Sequence, residues 1–218
     1  MRDVVPAAPA VARELFGDRF ALVERYARLL AGPGIERGLI GPGEVSRLWS
    51  RHILNCAVVT ELIPRQCSLV DIGSGAGLPG IVLAIALEDV GVTLLEPMLR
   101  RSAFLSECVA QLELANAVVC RARAEDVAGT VSADVVTARA VAPLRRLAGW
   151  AMGLAKPGGT ILALKGDRAE EELREAKGVL NKLGARQAEI VTVGRGRVEP
   201  ETVVVRIVTK NGGRKSFR

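Results

Sequence analysis

The sequence predicts an α/β fold in which helices precede a mostly parallel seven-stranded sheet that ends in an antiparallel hairpin. The first observation is a series of seven short apolar runs between residues 68 and 208. Helical patterns separate the first six runs, which is typical of a parallel sheet covered by helices on both faces. Only residues 194–201 separate the last two runs. That is too few for a crossover helix, so these two strands should pair antiparallel.

Two amphipathic helices are predicted before the first strand. Apolar residues at helical spacing extend over residues 10–31, and Gly32-Pro-Gly34 is expected to end that helix. A turn-rich link at 38–43 leads to a second helix at 44–63. This helix should end before Pro64, because the residue that precedes a proline avoids the helical conformation. The chain therefore begins with a helical segment, assigned to residues 1–66.

Strands and helices alternate in the rest of the chain. The predicted strands are residues 68–72, 92–95, 117–121, 134–137, 160–164, 189–193 and 202–208. The predicted helices are residues 78–87, 98–114, 143–154 and 169–183, with a short turn at 125–127. The segment Lys156-Pro-Gly-Gly-Thr160 is interpreted as the turn into the fifth strand.

Composition favours one globular domain. Of the 218 residues, 49% are hydrophobic, which is ample for a core. The apolar runs are too short to span a bilayer, and no secretory signal is visible. Four cysteines without a Cys-x-x-Cys pair, together with a single histidine, predict no metal site. The net charge of +6 suggests a polyanionic partner, although charge runs are also typical of a solvated surface.

The most informative stretch is a glycine-rich turn between the first strand and the next helix. Gly73, Gly75, Gly77 and Gly80 follow directly after Asp71. Glycine accepts positive φ and lets a ligand approach the backbone, and the helix beyond begins with unpaired N–H groups. The pattern therefore predicts a site for a nucleotide-like ligand. Because its last three glycines also satisfy the dinucleotide fingerprint, an NAD(P)-dependent oxidoreductase is one alternative.

Three features favour S-adenosylmethionine (SAM) over NAD. Asp71 ends the first strand, where a carboxylate could face the ammonium group of the ligand. Gly73-Ser-Gly75 follows it and completes the Asp-x-Gly-x-Gly pattern of methyltransferases. The Lys156-Pro-Gly-Gly turn is also frequent in that superfamily.

Polar residues after the later strands complete the candidate site. Glu96, at the end of the second strand, is placed to hold ribose hydroxyls, and Ala124 and Glu125 lie where the adenine edge would be read. Arg139, beyond the fourth strand, could hold the methionine carboxylate, a substrate phosphate or a guanine edge. Lys165 ends the fifth strand, where it either faces the ligand or only snorkels. Arg139 and Lys165 are the candidate catalytic residues.

Four segments together resemble the ribosomal RNA small subunit methyltransferase G family, also called glucose-inhibited division protein B. They are Arg51-His-Ile-Leu-Asn55, Val70-Asp-Ile-Gly-Ser-Gly-Ala-Gly-Leu-Pro-Gly-Ile81, Ala138-Arg-Ala-Val-Ala-Pro-Leu144 and Ala163-Leu-Lys-Gly166. The resemblance extends over roughly residues 10–210. Its most specific element is the Gly-Leu-Pro-Gly end of the glycine-rich turn.

This resemblance implies a class I, Rossmann-like, SAM-dependent methyltransferase domain at residues 67–210, followed by a basic flexible tail at 211–218. The implied reaction is methylation of guanine N7 in 16S ribosomal RNA near the decoding centre, where streptomycin acts. The implied partner is 16S rRNA within the small ribosomal subunit or an assembly intermediate. We expect a cytoplasmic monomer without membrane contact.

The resemblance also implies roles for individual residues. The implied SAM contacts are Gly73, Leu78, Ala124, Glu125 and Arg139, and the implied RNA-facing candidates are Arg51, His52, Arg139 and Lys165. Two departures bear on the RNA-facing set. Asn55-Cys56 stands where the family usually has Asp-Ser, and residues 38–43 replace an aromatic Asn-Leu-Thr segment. A packed, structural His52 is the reading we favour.

Other functions remain open at this point. A SAM enzyme acting on another RNA, a protein or a small molecule fits the same fold. A non-catalytic RNA- or nucleotide-binding module is disfavoured, because with 3% aromatic residues the chain has few side chains on which bases could stack. Guanine N7 carries an in-plane lone pair, so its methylation needs positioning rather than a general base. The lack of an evident nucleophile or catalytic histidine is consistent with that reaction.

Overall fold

A computed structural model describes residues 5–212 of the chain. Within these residues, seven strands form one sheet: β1 (Ser68–Ile72), β2 (Gly91–Leu95), β3 (Ala117–Cys120), β4 (Ala133–Arg139), β5 (Ala155–Lys165), β6 (Ala185–Val193) and β7 (Thr202–Thr209). Their order across the sheet is β3-β2-β1-β4-β5-β7-β6. The first five strands pair in parallel, whereas β7 is antiparallel to both β5 and β6. The predicted fold class, including the C-terminal antiparallel hairpin, is confirmed.

Helices cover both faces of the sheet. In the described part of the chain the α-helices are α1 (Ala10–Phe16), α2 (Phe20–Leu29), α3 (Asn55–Ala57), α4 (Gly80–Ala86), α5 (Leu99–Gln111), α6 (Ala124–Val127), α7 (Leu144–Leu154) and α8 (Ala169–Leu183). None of these helices is long and apolar enough to cross a membrane. The predicted tail at 211–218 lies, from residue 213 onward, outside the described residues.

The central strand β1 shows why the sheet is buried on both sides. Leu69 packs into a core shared with α4, α5 and the N-terminal helices, whereas Val70 and Ile72 pack into a second core with α7 and α8. Successive side chains of a strand point to opposite faces, so one apolar run supplies both cores. The sheet therefore leaves its strand ends, rather than its faces, available for a ligand.

Helix α8 has the bounds that the sequence predicts. Its first turn carries Glu170, Glu171 and Glu172, whose negative charges are favourable at a helix N-terminus. Gly184 ends the helix in the left-handed conformation with φ of 92°. Local signals at both ends were sufficient to define this helix.

The prediction that Gly32-Pro-Gly34 ends the first helix was wrong. The predicted helix at 10–31 is divided into α1, a 3-10 turn and α2, and a π-helical turn, Leu30–Gly34, then continues through Pro33. Leu30 and Gly34 are buried, and a Cβ atom on Gly34 would lie 3.7 Å from the Phe104 ring. Tertiary packing against α5 thus holds a turn that local propensity disfavours.

The second predicted helix, at 44–63, has the expected buried face but an irregular winding. A 3-10 turn (Pro42–Arg47) and a π-helical turn (Leu48–Leu54) precede α3, and a second 3-10 turn (Val58–Leu62) follows it. The apolar residues that predicted the helix are all buried: Val45, Leu48, Trp49, Ile53 and Cys56. The hydrophobic pattern therefore predicted the buried face but not the hydrogen-bonding period.

The segment at Lys156–Thr160 is not a turn that precedes the fifth strand. It lies inside β5, where the pairing register with β4 shifts. Gly159 allows this irregularity, because a Cβ atom there would lie 2.8 Å from the carbonyl oxygen of Lys156. The Lys156 ammonium lies 2.9 Å from Oδ2 of Asp134 and so joins the start of β4 to β5.

Candidate active site

The glycine loop (residues 73–80) leaves β1 in a conformation that requires glycine. Gly73, Gly75 and Gly77 have φ values of 63°, 58° and 97°. A Cβ atom on Gly73 would also lie 2.9 Å from Cγ2 of Val141, which belongs to the segment after β4. The loop and that segment are therefore in direct contact beside the ends of β1 and β4.

Asp71 occupies a different place from the predicted one. Its side chain is fully buried; Oδ2 accepts a hydrogen bond from the Gly80 backbone N–H at 3.1 Å, and Oδ1 accepts one from the Thr137 hydroxyl at 2.9 Å. Burial raises the pKa of this carboxyl to about 6. Asp71 thus ties β1 to β4 and to the start of α4, and does not line the cleft described next. We correct the expectation that it faces the ammonium group of a ligand.

A cleft of about 290 Å³ opens at the carboxyl ends of β1, β2 and β3. Four of the predicted site residues line it: Gly73, Glu96, Ala124 and Glu125. The other predicted residues, Asp71, Gly75, Gly77, Leu78, Arg139 and Lys165, do not. Strand ends of open α/β sheets are the usual place for a ligand.

Glu96 is the most enclosed polar residue of the cleft, with 1% of its surface exposed. Its Oε2 accepts a hydrogen bond from the Gly75 backbone N–H at 3.0 Å, and its Oε1 accepts one from the Met98 N–H at 3.0 Å. Each carboxylate oxygen has a second lone pair. Glu96 can therefore hold the glycine loop and still accept hydrogen bonds from a ligand.

Support for the glycine loop comes from the N-terminal helices. The hydroxyl of the fully buried Tyr26, on α2, donates a hydrogen bond to the Ala76 carbonyl oxygen at 2.7 Å. A Cβ atom on Gly77 would lie 2.8 Å from this hydroxyl. In the sequence, Tyr26 is only one of the residues at helical spacing in the predicted helix at 10–31. A buried tyrosine needs a hydrogen-bond partner, but the sequence does not indicate which one.

Arg139 extends from the end of β4 towards the N-terminal helical segment. Its Nη2 lies 3.2 Å from Nδ1 of His52, and its Nη1 donates a longer hydrogen bond of 3.4 Å to the Arg51 carbonyl oxygen. Nε2 of His52 in turn lies 2.8 Å from Oε2 of Glu44. His52 is therefore packed and hydrogen-bonded, in agreement with the structural role that the sequence analysis favoured.

Solved structures with this architecture are methyltransferases. A putative S-adenosyl-L-methionine-dependent methyltransferase from Methanococcus maripaludis aligns with a TM-score of 0.60 and 15% identity, over 87% of this chain and 95% of that one. A SAM-dependent methyltransferase from Aquifex aeolicus aligns with a TM-score of 0.55 and 18% identity, over 78% and 99% of the two chains. These similarities establish the class I methyltransferase fold.

The sequence comparisons are more specific. The family model of rRNA small subunit methyltransferase G matches residues 19–201. The chain belongs to this family. Proteins named ribosomal RNA small subunit methyltransferase G from Thermobifida fusca and Streptomyces avermitilis are each 57% identical to it. The alignments cover 94% and 93% of this chain, and 85% and 86% of theirs. The expected enzyme class, a methyltransferase that uses SAM, is confirmed.

The cleft of this methyltransferase G family member fits its cofactor. Any side chain at Gly73 would press against Val141 in the cleft wall, and Glu96 supplies a buried carboxylate beside the glycine loop. Ala124 and Glu125 begin the short helix α6 at the other side of the cleft. The Glu96 carboxylate can accept hydrogen bonds from ligand hydroxyls, which suits the ribose of the cofactor.

Lys165, predicted as catalytic, neither snorkels nor faces the cleft. Its ammonium lies 2.8 Å from Oε2 of Glu172 and donates to the Ala142 carbonyl oxygen at 2.8 Å. Only 9% of the side chain is exposed. In this family member Lys165 braces the segment after β4, and we correct the expectation of an RNA-facing side chain.

Three arginines and a tryptophan that were not predicted as site residues also line the cleft: Arg101, Arg123, Arg146 and Trp150. The Arg146 guanidinium lies 4.9 Å from the centre of the Trp150 ring. Within residues 5–212, none of the three arginines has an acidic partner within salt-bridge distance, whereas nine other arginines do. The net charge of +6 indicated an excess of basic residues, but no sequence motif placed these three arginines at the cleft.

A larger groove, of about 450 Å³, lies between α8 and β6 at the opposite edge of the sheet. None of the predicted site residues lines it. Since Gly73 of the glycine loop, Glu96 and the three arginines line the smaller cleft, that cleft is the candidate active site.

Proposed function

We propose that this enzyme methylates guanine N7 in 16S ribosomal RNA near the decoding centre, with SAM as the methyl donor. The observation that carries the proposal is the cleft itself, which combines a glycine loop and a buried carboxylate with three arginines that lack acidic partners. Uncompensated cations beside a cofactor site suit a polyanionic substrate. The similarity to proteins named ribosomal RNA small subunit methyltransferase G supports the choice of RNA.

Each cleft residue has a proposed task toward the cofactor. Gly73 lets it approach the backbone, Glu96 accepts hydrogen bonds from the ribose hydroxyls, and the backbone at Ala124 and Glu125 contacts the adenine edge. Arg139 does not line the cleft but directly precedes Ala140, which does; as a half-buried cation bonded only to neutral acceptors, it is proposed to bind an anionic group beside the cleft. When bound, SAM supplies a methyl group activated by the positive charge of its sulfonium.

The enzyme's residues act by holding the target base and the methyl donor in position, and not by acid–base chemistry. Guanine N7 presents a lone pair in the plane of the base, so no side chain has to remove a proton before the bond forms. Neither Lys165 nor Asp71 is available as a base, because the first is ion-paired and the second is enclosed. The target base leaves its stack to enter the cleft, and Arg101, Arg123 and Arg146 hold the phosphates on either side of it.

The proposed partner is 16S rRNA within the small ribosomal subunit or an assembly intermediate. Residues at the cleft rim would contact an exposed RNA surface, and one chain suffices to form the cleft. The proposal therefore has the enzyme act as a monomer in the cytoplasm, where the subunit is assembled.

The first test is transfer of tritiated methyl from SAM to small subunits prepared from cells that lack this gene. We expect label in 16S RNA, located by cleavage specific for N7-methylguanine. Arg146→Ala should raise the KM for the subunit. The slope of log KM against log salt concentration should fall by about one, the value for one lost phosphate contact. The matched control is Arg174→Ala, on α8 in the remote groove, which should leave the KM unchanged. Label in another RNA, or none despite SAM binding, would overturn the substrate assignment.

A further inference from the structure

A chain of three side chains connects the N-terminal helical segment to the end of β4, next to the cleft residue Ala140. Glu44 lies on the 3-10 turn Pro42–Arg47, His52 on the π-helical turn Leu48–Leu54, and Arg139 at the end of β4. Oε2 of Glu44 lies 2.8 Å from Nε2 of His52, and Nδ1 of His52 lies 3.2 Å from Nη2 of Arg139. Only 14% of the His52 side chain is exposed.

The identity of the outer partners determines the tautomer of His52. A guanidinium can only donate hydrogen bonds, so Nδ1 of His52 must present its lone pair to Arg139. The proton of the neutral ring then lies on Nε2 and is donated to the Glu44 carboxylate. Glu44 therefore stabilises the one tautomer that can accept from Arg139.

Arg139 is left with its charge uncompensated. Its two acceptors are the neutral imidazole of His52 and the backbone carbonyl of Arg51, and no acidic side chain among residues 5–212 lies within salt-bridge distance of it. Held in this way, the guanidinium keeps its remaining N–H groups for a ligand with anionic oxygens, such as the carboxylate of the cofactor or a phosphate of the RNA.

We propose that His52 is a positioning residue for Arg139 and that Glu44 fixes the His52 tautomer for this purpose. The inference rests on the proposed function only in that Arg139 binds an anionic ligand. It gives the N-terminal helical segment a role in ligand binding through Arg139, without contact between His52 and the reacting atoms.

Protonation of His52 would break this arrangement. It would place a proton on Nδ1, remove the acceptor for Arg139 and set two positive charges against each other. The charged groups that face the ring are Glu44, Arg51 and Arg139; burial and the Arg139 charge lower the His52 pKa, and Glu44 opposes them. Ligand binding by Arg139 should therefore be intact at neutral pH and be lost as the pH falls through the His52 pKa.

His52 is the single histidine of the chain, so one imidazole signal in a heteronuclear NMR titration reports its tautomer and its pKa directly. We expect Nε2–H at neutral pH and a pKa below the ordinary value. Glu44→Gln keeps an acceptor for Nε2–H but removes the charge, so it should shift the titration to lower pH. An Nδ1–H tautomer would overturn the proposal without any reference to catalysis.

The functional test compares His52→Asn with His52→Leu. The amide oxygen of asparagine can replace Nδ1 as an acceptor, whereas leucine supplies no acceptor. His52→Leu should weaken SAM binding in calorimetry, or raise the KM for the subunit, by about tenfold or more. The first result identifies the cofactor carboxylate as the ligand, and the second identifies an RNA phosphate.

His52→Asn should retain most of the ligand affinity. Because asparagine does not titrate, the affinity of this variant should no longer fall at low pH. Equal losses in the two variants, with equal melting temperatures, would overturn the proposal, because ring volume rather than the acceptor would then matter. Failure of the proposed function would give a different result from failure of this inference. In that case the wild type would bind SAM and show the expected His52 titration, but 16S RNA would remain unlabelled.

Discussion

The ammonium of Lys165 and the carboxylate of Glu172 form a largely buried ion pair, with Nζ 2.8 Å from Oε2 and exposed side-chain fractions of 9% and 18%. The same Glu172 oxygen accepts a hydrogen bond from the Leu144 backbone N–H at 2.6 Å. Lys165 also donates to the Ala142 carbonyl oxygen at 2.8 Å. The pair thus fixes the segment that leads from the cleft wall at residues 140–141 to helix α7.

Replacement of Lys165 should lower stability more than turnover. Lys165→Met leaves Glu172 in its enclosed position without a counter-charge, so the free energy of unfolding should fall by about 3 kcal/mol. The matched control is Lys156→Met. The Lys156 pair with Asp134 has the same length to within 0.1 Å but is about 40% exposed, and should contribute less than about 1 kcal/mol. Urea unfolding measures both values. A stable Lys165→Met enzyme with no turnover at saturating SAM would instead restore a catalytic role for Lys165.

Loss of the Tyr26 hydroxyl should loosen the glycine loop. Tyr26→Phe leaves the Ala76 carbonyl without its 2.7 Å hydrogen bond in a buried position, which costs about 1–2 kcal/mol. SAM affinity, measured by calorimetry, should fall together with stability, because the loop borders the cleft. Ser106→Ala, which removes a hydroxyl bond to the Ser102 carbonyl on α5, should leave SAM affinity unchanged. Equal affinities in the two variants would contradict a role for Tyr26 in supporting the loop.

Side chains at Gly73 should remove SAM binding. Gly73→Ala combines a positive φ with a Cβ atom 2.9 Å from Val141, and Gly73→Asp adds a negative charge beside Glu96. Gly38 has a similar φ of 65° but nothing within 4 Å of its Cβ position, so Gly38→Ala and Gly38→Asp have the same backbone strain without the crowding. We expect a stability loss of about 1 kcal/mol in Gly38→Ala from the backbone strain alone, a larger loss in Gly73→Ala, and loss of SAM binding only at Gly73. Unchanged affinity in Gly73→Asp would remove the loop from the cofactor site.

Local sequence signals were sufficient for the sheet and for several of its helices. Strand β1 (Ser68–Ile72) and helix α8 (Ala169–Leu183) have the predicted bounds, because an apolar run or an amphipathic period ends at a clear turn or cap. The winding of residues 30–34 was not predictable from Gly32-Pro-Gly34, because the burial of Leu30 and the packing of Gly34 against α5 override the local preference.

In the candidate site, the position of each residue along the chain was predictable, but the contacts of its side chain were not. Glu96 and Arg139 were predicted at strand ends, and the structure places them there. The direction of a side chain depends on neighbours that are distant in sequence. Asp71 is turned inward by Thr137, and Lys165 by Glu172, and no local pattern encodes either partner. The sequence thus predicted which strand ends carry the candidate residues, but not the direction in which each side chain points.

Burial of Asp71 should make stability depend on pH in a direction opposite to that of an ordinary ion-paired carboxylate. The folded-state pKa is about 6, above the value of 3.8 for an accessible aspartate. The folded chain therefore holds this proton more tightly than the unfolded chain. Its stabilising effect is complete below the unfolded pKa and is lost as the pH rises through about 6.

Asp71→Asn, which stays neutral and can still accept from the Gly80 N–H, should remove this loss. The difference in unfolding free energy, variant minus wild type, should rise by about 2 kcal/mol between pH 4 and pH 7, because the wild type loses stability over this range as Asp71 ionises and the variant does not. Urea unfolding at intervals of one pH unit measures the difference. The other titrating groups are common to both proteins and cancel. A difference that stays constant across this range would mean that the Asp71 carboxyl is not shifted by burial, and that the contacts with Gly80 and Thr137 compensate its charge.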